Sequence, residues 1–141
     1  MNTRLQTLNK QAGMVLLEGL IAILIFSVGI LAIVGMQAAA VRNVGEAKYR
    51  SEASLLADSL LGTMWATDRV TASLQTNFNT GGTGYNTWLG HVSTTLPNVA
   101  SYPPTVVVDD QGIVTITVRW LAPSAGAGSD AHQYIAVAQI R

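Results

Sequence analysis

The chain has 141 residues, 49% of them hydrophobic and only 11% charged, with eight basic and eight acidic side chains that cancel. At this size there is room for one apolar segment and one small domain, not for two globular domains. The thin, balanced charge excludes a basic nucleic-acid-binding surface, and with no cysteine any domain that forms does without disulfides.

Residues 1–13 read M-N-T-R-L-Q-T-L-N-K-Q-A-G, short and polar, with Arg4 and Lys10 as the charged side chains. From Met14 to Met36 run 23 residues with a single charge, Glu18. A hydrocarbon core about 30 Å thick needs roughly 20 apolar residues in a helix, so this run is long enough to span a bilayer. It is longer than the apolar region of an ordinary secretory signal. Glu18 has two readings on physics alone: a carboxylate that awaits a partner inside the membrane segment, or one that sits at the headgroup level near the apolar edge. Charge counting does not orient the span, because Arg42, Lys48 and Arg50 stand beyond one end against Arg4, Lys10 and the amino terminus at the other. Ala38, Ala39 and Ala40 resemble a small-residue signal peptidase site, but the length of the run and a helix continuing through it argue against cleavage there.

A short basic leader ending in Gly13, followed by an apolar run whose fifth residue is Glu18, resembles the class III signal of the type IV pilin superfamily. The run Ser27 to Gln37, S-V-G-I-L-A-I-V-G-M-Q, is similar to the S-I-G-L-L-G-L-A-G-L-Q stretch of PilV-type minor pilins. The resemblance implies cleavage between Gly13 and Met14 by the prepilin peptidase, methylation of the new amino terminus at Met14, and an assembly role for Glu18. The family usually places phenylalanine after the cut. Met14 is a flexible apolar residue of similar bulk, so processing is expected to survive.

The physics of such a signal is simple. Cleavage removes both leader cations and creates an ammonium one helical turn from the Glu18 carboxylate. Opposite charges attract strongly in a low dielectric and neither is tolerable there alone. A staggered neighbour could therefore offer its amino terminus to Glu18, a pairing that fixes register more surely than it adds stability.

Beyond Gln37, the residues Tyr49, Ala53, Leu56, Leu60 and Met64 recur at helical spacing, while Glu46, Arg50, Glu52 and Asp58 fall mostly off that stripe. With no proline before Pro97, one helix from about Met14 to about Trp65 is expected, roughly 80 Å long. Its glycines (29, 35, 45 and 62) weaken it individually but permit close helix packing in a membrane. Asp68 is positioned to cap a short turn through Val70, Ala72 and Leu74. The stretch N-F-N-T-G-G-T-G-Y-N, residues 77–86, reads as a loop. Its glycines do not make a phosphate cradle, since no lysine follows and no strand leads in. Trp88, Leu89, Val92 and Leu96 share one face of a short helix ended by Pro97, and His91 on it has no partner at ligand spacing.

The last third is β in pattern. Thr105 to Asp109 is rich in β-branched residues, Asp109-Asp110-Gln111-Gly112 is a turn, and Ile113 to Leu121 alternates with Val114, Ile116, Val118 and Trp120 on one face. Asp109 and Asp110 supply too few carboxylates for a calcium site. Pro123 to Ala131 is a connection and His132 to Ile140 a third strand, giving an antiparallel meander. The sheet's apolar side needs a cover, and the amphipathic half of the long helix is the element large enough, with Trp120 expected against Leu56 and Leu60.

The expected fold is α+β and pilin-like, a long amino-terminal helix on a small antiparallel sheet. The organisation is a leader at 1–13, a transmembrane or filament-core helix at 14–37 and a periplasmic domain at 38–141. The resemblance extends to V-T-I-T-V-R-W and H-Q-Y-I-A-V-A-Q-I, similar to the closing strands of PilV-type pilins. It implies a single-pass inner-membrane protein that enters the extracellular type IV pilus, promotes its assembly and serves twitching motility. The partners so implied are other major and minor pilins, the prepilin peptidase, the assembly platform and membrane lipid. A minor pseudopilin of type II secretion is the alternative, which the Ser27 to Gln37 run disfavours. No catalytic residue, cofactor or metal ligand is expected, because no nucleophile has a base at a recognisable spacing.

Overall fold

A computed structural model describes residues 6–123, 125–126 and 128–140, with side chains from residue 13 onward. Arg4 and the side chain of Lys10, the expected leader cations, lie outside it. The elements are α1 (Gln6–Ala66), α2 (Thr71–Phe78), α3 (Thr83–Thr95), β1 (Thr105–Val108), β2 (Ile113–Trp120) and β3 (His132–Gln139). Two compact units divide between Arg42 and Asn43. The first is the amino-terminal part of α1, and the second contains the rest of the chain.

In the second unit the α1 stripe is as the spacing predicts. Ala53, Leu60 and Met64 are buried, Tyr49 and Leu56 half-buried, and Ala57 joins them on the same face. They share one core with the inward side chains of the sheet and with Leu74, Phe78, Trp88 and Val92 of the short helices. The fold is α+β, with α1 packed on a three-stranded antiparallel sheet of order β1-β2-β3.

Register follows from the alternation. Val114, Ile116, Val118 and Trp120 are all buried, and a shift of one residue would turn every one of them to solvent. Ile116 lies opposite Val106 of β1 and Ala136 of β3, and Val118 opposite Tyr134. The β1–β2 turn is held by Asp109, whose Oδ1 accepts the backbone N–H of Gln111 at 2.9 Å and of Ile113 at 2.7 Å. Gly112 has φ +76°, and a Cβ there would fall 2.5 Å from the Ile140 carbonyl oxygen. That position needs glycine for both reasons.

Residues 66–100 depart from expectation. The loop predicted over 77–86 shrinks to 79–82, because α2 continues to Phe78 and α3 already begins at Thr83. Asp68 does take part at the helix entry, its Oδ1 accepting the N–H of Val70 at 3.1 Å. The short connection does a specific task at the outer edge of β1. Thr80 exchanges backbone and hydroxyl hydrogen bonds with Val106 at 2.9–3.1 Å. Asn79 Oδ1 accepts the Val108 N–H at 2.7 Å and Gln75 Nε2 donates to the Val108 carbonyl at 3.2 Å. The unpaired backbone groups of an edge strand are thereby satisfied.

Trp120 is 3% exposed and inward as expected, in one core with Leu60 and with Leu56 packed against that core. It lines a cavity of about 280 Å³ with Asn43, Glu46, Ala47, Arg50 and His132. That stretch of α1 lies to the amino-terminal side of Leu56 and Leu60. Trp120 closes β2, opposite His132 at the start of β3, so it covers the end of the sheet.

Candidate functional site

The amino-terminal unit carries the candidate residues. Gly13, Met14 and Glu18 all lie on α1, exposed, with Met14 and Glu18 four residues apart and so about one turn of helix. Leu20, Ile21, Ile23 and Leu24 are exposed on successive faces of the next turn, so the helix is apolar around its whole circumference rather than along one stripe. An 18-residue window of α1 reaches a mean hydropathy of 2.7 with none of it buried. By length and composition this is a single membrane span or a signal sequence.

Two polar side chains interrupt the run between Met14 and Met36. Ser27 disposes of its hydroxyl locally, donating to the Ile23 carbonyl one turn back at 2.7 Å, the usual solution for a hydroxyl on an apolar helix. Glu18 cannot do the same, because an ionised carboxylate only accepts and the helix's own N–H groups there are already engaged. Among the described residues it has no hydrogen bond and no ion pair. The geometry brings the Gly13–Met14 junction and Glu18 together on one turn and leaves the carboxylate unanswered.

A second constellation sits at the other end of the chain. His132 Nε2 lies 3.7 Å from Glu46 Oε1, and the His132 ring stacks on Trp120 at a centroid distance of 5.9 Å and 28°. Nearby, Ser54 Oγ donates to Tyr134 Oη at 3.2 Å. When His132 carries its proton, these contacts tie the start of β3 to α1. The sequence gives no hint of them, because Glu46 and His132 are brought together only by the packing of β3 on the helix. His91 is exposed on α3.

No family model, no curated protein and no solved structure matches the chain. The architecture therefore speaks for itself. A long, apolar amino-terminal helix whose carboxy-terminal part packs on a small antiparallel sheet is pilin-like.

Proposed function

We propose that this chain is a minor pilin of the PilV type, a structural subunit that enters type IV pili and promotes their assembly. The observation that supports it most is Glu18, the one charge in the apolar run, unpaired one turn beyond the Gly13–Met14 junction. A lone ionisable group in a membrane segment marks function and asks for a partner. The class III reading supplies that partner. The prepilin peptidase cuts after Gly13, the new amino terminus at Met14 is methylated but keeps its charge, and the ammonium of a staggered neighbour meets Glu18.

Before assembly the protein resides in the inner membrane with its α+β domain in the periplasm, among lipid and the assembly platform; afterwards it contacts other pilins in the filament. Its task is assembly rather than catalysis.

Intact mass of the protein purified from the membranes of the cell that makes it tests the reading. The expected chain starts at Met14 and carries one methyl group. A start near Val41, as a secretory signal would give, or an uncut Met1 overturns it.

A further inference from the structure

The sequence of α1 passes from apolar to charged within a few residues. From Gly19 to Val41 it carries no charge, and Arg42 is the first charged side chain beyond Glu18. The helical stretch from Asn43 to Arg50 begins one residue further on and rises about 10 Å, against a headgroup layer of roughly 5–8 Å on each side of a bilayer. A span that ends near Arg42 sets this stretch at the level of lipid headgroups.

Here Asn43, Glu46, Ala47 and Arg50 line the cleft of about 280 Å³ together with Trp120 and His132 at the end of the sheet. The charges of the cleft are not spent on each other. Glu46 precedes Arg50 by four residues, the order that favours an ion pair on a helix, yet Glu46 turns to His132 at 3.7 Å. Arg50 has no hydrogen bond and no ion pair among the described residues. The Glu46–His132 separation is longer than a hydrogen bond, so the carboxylate keeps room for a donor. Lys48, by contrast, pairs with Glu52 at 3.7 Å and does not line the cleft.

The cleft thus presents one carboxylate and one guanidinium a helical turn apart, roughly 5–6 Å between their Cβ atoms, with the Asn43 amide and the His132 imidazole beside them. A ligand that answers both charges carries an anion that accepts hydrogen bonds and a cation that donates them, joined by a short spacer. We infer that the cleft holds the headgroup of a phosphatidylethanolamine-class lipid, with the phosphate on the Arg50 guanidinium and the Asn43 amide and the primary ammonium on the Glu46 carboxylate. A choline headgroup has no N–H to give Glu46. A glycerol headgroup brings no cation and leaves the carboxylate beside a phosphate. The cleft is smaller than the roughly 300–1,000 Å³ pockets of drug-sized ligands, which suits a headgroup whose acyl chains stay in the bilayer. This site, which rests on the proposed residence in the membrane and not on the pilin role, holds the domain against the leaflet until the subunit leaves it.

Native mass spectrometry tests it, on the full chain purified in a mild detergent with phosphatidylethanolamine, phosphatidylcholine and phosphatidylglycerol of identical acyl chains added in equal amounts. One molecule of phosphatidylethanolamine is expected to stay bound, preferred about tenfold or more over either other lipid, the worth of one hydrogen bond to a charged group. Glu46→Gln should abolish the preference, and Arg50→Gln should lower retention of phosphatidylethanolamine by a similar factor. Lys48→Gln should change neither. All three positions are exposed, so unchanged melting curves are expected to accompany these effects. No bound lipid, equal retention of the three lipids, a preference that survives Glu46→Gln, or an equal loss in Lys48→Gln each overturns the proposal. So does equally tight binding of glycerophosphoethanolamine, the same headgroup without acyl chains, because the ligand would then be a soluble molecule. The measured mass also gives the first residue of the chain, so a chain that begins at Met14 and binds no lipid is distinct from a failure of the processing reading.

Discussion

The indole Nε1–H of Trp88 donates to the carbonyl oxygen of Leu56 at 2.9 Å, joining α3 to the side of α1 through a nearly buried ring. Trp120, the other tryptophan of the core, is equally buried, but its Nε1 has no hydrogen-bond partner among the described residues. The two rings fill space alike and differ in what their N–H groups do.

That difference predicts unequal costs for the same substitution. Trp88→Phe loses a made hydrogen bond as well as ring area and should cost more than Trp120→Phe, by about 1 kcal/mol. Both alanine variants should lose about 3–5 kcal/mol, as large aromatic truncations do. Urea denaturation of the detergent-solubilised chain, followed by far-UV circular dichroism, compares the four. Equal costs for the two phenylalanine variants would mean that the Leu56 bond contributes nothing.

Glu18→Ala separates processing from assembly. The variant helix is more comfortable in a bilayer, since an ionisable group has gone, so insertion and cleavage after Gly13 should persist. Removing one partner of a buried pair costs about 3–5 kcal/mol, so incorporation into sheared filaments should fall roughly a hundredfold or more. Processed protein accumulates in the inner membrane if this is right. Equal incorporation of variant and wild type would reduce Glu18 to an interfacial residue.

Tyr85 predicts an alkaline limit. Its hydroxyl donates to the Pro104 carbonyl at 2.7 Å, and burial raises its pKa above the ordinary 10.0. The folded state therefore holds the phenolic proton more tightly than the unfolded chain. The associated stability is complete below the unfolded pKa and is lost as pH rises through the folded one. Tyr85→Phe should cost about 1 kcal/mol at neutral pH and flatten the decline above about pH 10. Melting temperatures measured across that range decide it, and an unchanged alkaline slope would assign the decline to other groups.

Two glycines predict changes of opposite sign. Gly112→Ala forces a Cβ against the Ile140 carbonyl at positive φ and should destabilise by about 1–3 kcal/mol. Gly90→Ala, inside α3 with nothing within 4 Å of the added carbon, should stabilise by up to about 1 kcal/mol. Thermal melts of both variants check the pair.

The sheet and the α1 stripe were legible in the sequence because both rest on a simple period with apolar residues in phase. Glu18 was legible for the opposite reason, as a single charge against a uniform background. Residues 77–86 misled because glycine reads as a breaker, whereas Gly84 sits inside α3 where a Cβ would press within 2.6 Å of the Phe78 ring. It is there for packing, which periodicity does not report. The surroundings of Trp120, the Glu46–His132 contact and the capping of β1 by Asn79 and Thr80 all join positions far apart in the chain, and each depends on a register that only the folded sheet defines.

The capping of β1 also limits where the chain can change length. Asn79 and Thr80 stand at fixed heights against Val108 and Val106, so an added residue between α2 and α3 would move both donors and acceptors out of step. The connection after Ala122 holds itself together by local turns, with Ala125 bonded to Ala122 and Ser129 to Gly126. An epitope or fluorophore-binding tag therefore belongs after Ser129, an exposed position beyond both turns and before β3, where it would mark the protein in a living cell without disturbing the sheet. The same tag placed after Thr80 would leave the edge strand undone.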